Sequence, residues 1–342
     1  MWSGSCGVGR AERVVRSGPL LASPSDLPSY PLPDESAQLD LTLPAHNLYA
    51  FAKTWGTLGD EPEYGVFHGT MFAWIEGRKL MPMFGYHGTG VTKCRFLDSG
   101  SMQMRGKETG YFTDLATGEP IDTWDNPFTG ETVEVYHFLN DRIGGELTHE
   151  MPVLTVGDHH DEGSLMNDSS SAVPASGAIP FVLPWQVYGD EVLLEWDYAH
   201  DYPNPVDPVR FPRSSTGDRI NPSEHFTIYT SLSELADTSL PSAHFRAGFS
   251  RLSPMWPWMR MGGVSLGTRE SAGLPGIGEV GSVMFGRLFS RTTRRGLDDI
   301  PRPLLRRIER DCPDYLELPT DWDMGPILST WEAYARDTEP EN

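Results

Sequence analysis

The sequence predicts a mainly β protein, an antiparallel β-barrel or strongly curved, lipocalin-like sheet with a few short peripheral helices. Three observations carry this. Between residues 67 and 150, short apolar runs of period two are broken by Gly, Pro and Asp clusters, the pattern of hairpin-linked strands. The chain also carries 10 Trp, 12 Tyr, 15 Phe and 13 Met, enough bulk for a sizeable core without disulfide staples. Helical periodicity is confined to short, late stretches, the last of which has one apolar stripe to dock on the body.

The elements follow in chain order. Residues 1–45 read as a disordered or extended leader: the first 24 are basic and Ser-rich, and residues 24–44 are dense in Pro, Ser and Asp. A plain tail accounts for this composition more simply than a transit peptide, and a secretory signal would need a continuous apolar region that the segment lacks. One β-rich domain then spans residues 46–338. Its expected strands cover residues 67–75, 80–87, 91–96, 101–106, 110–115 and 133–140. Within them Thr117-Gly118-Glu119-Pro120-Ile121-Asp122 returns as Thr129-Gly130-Glu131-Thr132-Val133-Glu134, two Gly turns of a meander rather than a solenoid. The polar, Gly/Ser-rich stretch 157–177 reads as a mobile insertion. Strand signals resume at 181–188, 192–200, 224–230 and 244–252. Helices are expected at 231–236, opened by the capping pair Ser231 and Glu234, at 302–310, and at 327–335, where Ile327, Leu328, Trp331, Tyr334 and Ala335 share one face.

Charge narrows the function. With 27 Lys plus Arg against 48 Asp plus Glu, the formal net charge is -21, which repels nucleic acid and anionic membrane surfaces. The basic run from Arg291 to Arg295, with Arg302, Arg306 and Arg307, reads as a solvated face offsetting nearby acids. Three scattered cysteines, Cys6, Cys94 and Cys312, suit a reducing, cytoplasmic setting, and no apolar run is long enough to span a membrane. Gly276-Ile277-Gly278-Glu279-Val280-Gly281 has the dinucleotide spacing, but Ser271-Ala272-Gly273-Leu274-Pro275 before it is a loop where that chemistry needs a strand. His159 and His160 are adjacent and would point apart on an extended chain, which argues for a solvated loop over a metal site. Without a Walker sequence, a His-Glu-x-x-His motif or a Cys-x-x-Cys pair, the sequence calls for no cofactor and no metal.

The positive signal is imidazole on apolar strand faces. Period two groups His137 with Val133, Val135, Leu139 and Asp141, and His200 with Val192, Leu194, Trp196 and Tyr198. His68 shares a face with Thr70, Phe72 and Trp74. A half-buried neutral imidazole can serve as general acid or base. The plain alternative for each is a core histidine satisfied by a carbonyl or a Tyr hydroxyl. The expected catalytic set is thus His137, His200, His68, Asp141 and Arg260, with Trp74, Tyr136, Trp196, Tyr198, Trp256 and Trp258 lining a pocket.

The block Trp124-Asp125-Asn126-Pro127-Phe128-Thr129-Gly130-Glu131, running into residues 133–141, resembles the family known as domain of unknown function 1838. The segment Arg251-Leu252-Ser253-Pro254-Met255-Trp256-Pro257-Trp258-Met259-Arg260-Met261-Gly262 is similar to that family's second hallmark. The resemblance covers residues 45–338. It implies a single β-rich unit and no settled activity. Together these readings lead to an expectation of a cofactor-independent lyase or isomerase acting on a hydrophobic, ring-containing metabolite. A non-catalytic carrier of such a molecule is the alternative, an exposed Pro-rich interaction patch at residues 256–261 a third. A second copy of the chain, forming a homodimer, is the candidate protein partner.

Overall fold

The structure is a computed structural model that describes residues 29–33, 38–75, 77–153, 175–199, 202–266, 283–293, 295–322 and 328–341. Helix α1 (Pro44–Trp55) leads into β1 (Tyr64–Trp74), β2 (Met81–Phe96) and β3 (Met102–Thr113). A small hairpin follows, β4 (Thr123–Asp125) with β5 (Thr132–Glu134), and then β6 (Phe138–Leu147), β7 (Glu150–Val153), β8 (Ala175–Pro180), β9 (Trp185–Tyr188) and β10 (Glu191–Ala199). The chain continues through β11 (Tyr202–Pro203), β12 (Arg219–Ile220), β13 (Ser223–Ser231), helix α2 (Leu232–Ala236), β14 (Arg246–Pro254) and β15 (Val283–Thr292). It ends with helices α3 (Arg302–Asp311) and α4 (Thr330–Asp337).

Nine strands form one antiparallel sheet in the order β6-β3-β2-β1-β15-β14-β13-β10-β9. The mainly β, antiparallel expectation therefore holds. The sheet is open, since β6 and β9 stand at opposite edges and do not pair with each other, so no closed barrel forms among the described residues. Alternation gives it two faces. On the outer face Tyr64, Val66, Val91 and Tyr111 pack against Leu304, Leu305 and Ile308 of α3. On the inner face Cys94, Met102, Met104, Leu194 and Ile228 meet Leu48, Phe51 and Ala52 of α1. Further along the same face Phe84, Phe112, Trp256 and Trp258 meet Trp331 and Tyr334 of α4.

Several boundaries differ from the sequence reading. Residues 80–87 with 91–96, and 101–106 with 110–115, are in each case one continuous strand, because Gly88, Gly90, Gly106 and Gly110 continue the ladder instead of turning it. The expected strand 133–140 is divided: β5 pairs with β4, and β6 begins only at Phe138. The run read as basic surface begins at the end of β15, a central strand of the sheet whose last two residues are Arg291 and Thr292. Its arginines, with those of α3, nonetheless meet acids: Arg291 and Arg295 meet Asp299, Arg302 meets Asp298, and Arg307 meets Asp122 and Asp311. In the leader region, Leu32 is buried and the Tyr30 amide donates to the Thr238 carbonyl, so residues 29–33 dock on the body. Most of the 157–177 stretch, with His159 and His160, lies outside the described residues, as does the 276–281 glycine motif.

The expected capping pair is realised, and the structure adds a second. Ser231 Oγ accepts from the Glu234 amide, and Ser329 with Glu332 closes a full capping box on α4. The two free cysteines of the described chain, Cys94 and Cys312, are buried. No helix among the described residues is long and apolar enough to cross a membrane.

Candidate functional site

A cavity of about 290 Å³ lies on the inner face of the sheet, between the end of α1 and the start of α4. Residues from β3, β2, β1, β15, β14 and β13 all line it, which requires the sheet to curve around it. The lining can be read off the register as parallel rows. One row crosses Glu108, Gly90, Gly65 and Thr292. The next crosses Gly110, Gly88, Phe67, Ser290 and Ala247; the third Tyr86, Gly69, Leu288, Phe249 and Phe226. A fourth crosses Met71, Gly286, Arg251 and Glu224.

Glycine alternating with aromatics builds this shape. A Cβ on Gly88 would collide with the Phe67 ring and one on Gly110 with Tyr86, so these glycines let both rings lie over the sheet, 5.7 Å apart and nearly parallel. A Cβ on Gly65 would find nothing nearer than 3.9 Å, so there the missing side chain is open floor. Trp55 and Phe245 stack 6.4 Å apart at one end, and Phe138 and Trp256, 5.0 Å apart, form a wall at the other.

Four charged side chains reach this aromatic lining: Glu63, Glu108, Glu224 and Arg251. Glu224 and Arg251 are direct cross-strand neighbours, Nε to Oε1 3.3 Å, with side chains only 5% and 12% exposed. The guanidinium lies 4.9 Å from the Trp256 ring and 5.5 Å from that of Trp331, so its charge is held against π faces as well as a carboxylate. Trp256 is 4% exposed and its indole N–H is buried without a hydrogen-bond partner. At the opposite end, Glu63 Oε2 is likewise buried without one. An unpaired buried polar atom costs about 1–3 kcal/mol, and a ligand supplying the complement would recover it.

The imidazoles expected in a pocket do not line this one. His137 sits just before β6, where the chain is not yet paired, so Phe138 takes the inward position and His137 lies between Tyr111 and Phe112. Its Nδ1 accepts the Phe112 amide at 3.2 Å, and burial, with the Arg307 guanidinium, pulls its pKa down to about 4. His68 is exposed on the outer face opposite His87, since the inward residues of β1 are its odd-numbered neighbours. His200 lies outside the described residues, and so do the side chains of Asp141 and Tyr198.

Of the aromatic set, Trp256 lines the cavity. Trp258 is buried behind it against Phe84 and Phe112, and Trp196 packs edge-on to Phe51 of α1. Trp74 faces outward with Leu252, Val283 and Phe285. Tyr136 donates to Asp337 at 2.9 Å. Arg260, in the left-handed region at φ 55°, points to Glu341 at 3.8 Å. Residues 256–259 and Met261 are buried, which removes the exposed interaction patch. Gly263-Val264-Ser265-Leu266-Gly267 has the spacing of a hydrolase elbow, but Ser265 is exposed on a loop with no strand leading into it.

The four charged lining residues were missed because the search was for imidazole. The signal was present in the same alternation: Ala247, Phe249 and Arg251 share one face of β14, with Phe245 just before it, an apolar row ending in a charge. Among the described residues no three His, Cys, Asp or Glu side chains gather as a metal site.

Comparison with known proteins adds a family and little else. The family model described as "Protein of unknown function (DUF1838)" matches residues 60–338. No curated protein matches the chain. Among solved structures, the crystal structure of MucB in complex with MucA(peri) overlaps 75% of this chain and 95% of that one, at 9% identity and a TM-score of 0.12, too slight a likeness to bear on fold or function.

Proposed function

From the premise that the chain belongs to the family of unknown function DUF1838, we propose that it is a cofactor-independent lyase or isomerase that moves a proton on a hydrophobic, ring-bearing carbonyl compound. The observation that carries this reading is the Glu224–Arg251 pair beside the Trp256 indole N–H, all buried at one end of an aromatic cavity. An acceptor-only carboxylate next to two donors is the arrangement needed for proton abstraction beside a carbonyl. Glu224 takes the proton from the α-carbon. The C–H electron pair becomes an enolate, whose oxygen Arg251 and Trp256 hold. Return of the proton to another carbon gives an isomer; loss of a β-substituent gives elimination. The curved sheet around one apolar ligand follows the lipocalin principle in an open form.

The test is incubation of the protein with a metabolite extract, followed by mass spectrometry of what is retained and what is consumed. The expected result is consumption of a compound by the native protein. Glu224→Gln should retain that compound while turning it over about 10²–10⁴-fold more slowly. A compound held unchanged by the native protein would instead make it a carrier.

A further inference from the structure

Resting on that reading of the cavity, we infer that its ligand is a hydrophobic amine, bound with the protonated nitrogen at the Glu63 end. The argument begins with charge. Among the described lining residues the acids are Glu63, Glu108 and Glu224, and the only cation is Arg251. Arg251 faces Glu224 from the neighbouring strand. Glu63 and Glu108 lie at the far end: Glu108 shares the row of Gly65, six residues before Met71 in the row of Arg251, about 20 Å along the strand.

Among the described lining residues no cation stands at that end, and Glu63 Oε2 is shielded from water without a donor. A carboxylate in that position is an acceptor waiting for an N–H. Beside it the stacked Trp55 and Phe245 rings offer π faces, the second element of ammonium recognition. The floor is bare at Gly65, leaving room above the sheet for a head group.

An independent observation at the other end also points to a ligand: the Trp256 N–H is buried in a 4% exposed side chain and has no acceptor. The two orphan atoms are of opposite kind. A molecule satisfying both carries a donor at one end and an oxygen acceptor at the other, with an apolar ring system between. The ligand class is therefore an amine with a carbonyl on a hydrophobic frame.

Three probes that share a bicyclic ring separate the readings: 1-naphthylmethylammonium, 1-naphthylmethanol and 1-naphthoate, titrated calorimetrically into the full-length protein. The ammonium should bind about tenfold more tightly than the alcohol, and the naphthoate least. Glu63→Gln should bring the ammonium to within about threefold of the alcohol and leave the alcohol unchanged, with an unaltered unfolding midpoint showing that the fold is intact. Equal binding of ammonium and alcohol, preferential binding of naphthoate, or a preference that survives Glu63→Gln overturns the amine assignment while the cavity stands as a ligand site. Binding of none of the three overturns the cavity reading itself.

Discussion

His137 illustrates how burial decides what a single ring does. Held between aromatic rings, with Nδ1 taking the Phe112 amide, it is suited to remaining neutral, and its pKa is lowered to about 4 by desolvation and then by Arg307. The sign of the stability effect follows. In the unfolded chain the ring titrates near its ordinary value of 6.5. Between that value and about 4 the unfolded state therefore binds more protons than the folded one. Stability is fully present above the unfolded value and is lost as pH falls through this window. His137→Asn keeps an acceptor for the amide but cannot titrate. In urea unfolding at about pH 7 and about pH 5, the native protein should lose on the order of 1–2 kcal/mol more than the variant. Equal losses would show that the ring does not stay neutral in the folded state. The same burial makes this ring a poor proton acceptor near neutrality, so the proposed reaction assigns proton transfer to Glu224 instead.

At the scale of the element, glycine is where sequence and structure parted. Alternation located most strands, the capping pair Ser231 and Glu234 located α2, and an apolar stripe located α4, because these signals are local. Gly88 and Gly90 were read as a break, since a glycine in a run of period two fits a turn as well as it fits a strand that another side chain crosses. Which it is depends on a ring from a neighbouring strand, which no local pattern contains. Helix α1 escaped for a different reason. It is buried all round, from His46 to Thr54, and so lacks the polar face that marks an amphipathic helix. Little of the cavity was legible: of the aromatics expected to line it Trp256 does, while the rest of the lining and the charges at its ends needed the register between strands. The two kinds of glycine should respond differently to alanine. Gly88→Ala, whose methyl would strike the Phe67 ring and the Thr109 carbonyl, should cost about 2–3 kcal/mol in chemical denaturation. Gly65→Ala should cost under about 1 kcal/mol yet weaken naphthylmethylammonium binding, because its methyl enters the cavity rather than the packed sheet. If both variants unfold alike, the open floor at Gly65 is not there.

For the whole molecule, the open sheet has an outer face covered in part by α3, while its inner face carries α1 and α4 with a cavity between them. The chain as a whole carries a formal net charge of -21. A field of that sign concentrates cations near the protein and repels anions, so it acts on an amine before the amine reaches Glu63. The long-range and local contributions can be separated by salt, because the Debye length falls from about 30 Å at 0.01 M to about 8 Å at 0.15 M. Across that interval the affinity for naphthylmethylammonium should fall about threefold or more, while that for naphthylmethanol should change by less than about twofold. Glu63→Gln should keep the salt dependence, which belongs to the surface, and lose the preference that persists at high salt, which belongs to the Glu63 carboxylate in the cavity. An affinity for the ammonium that does not respond to salt would confine its recognition to the cavity. A salt response shared by the alcohol would remove charge from the account.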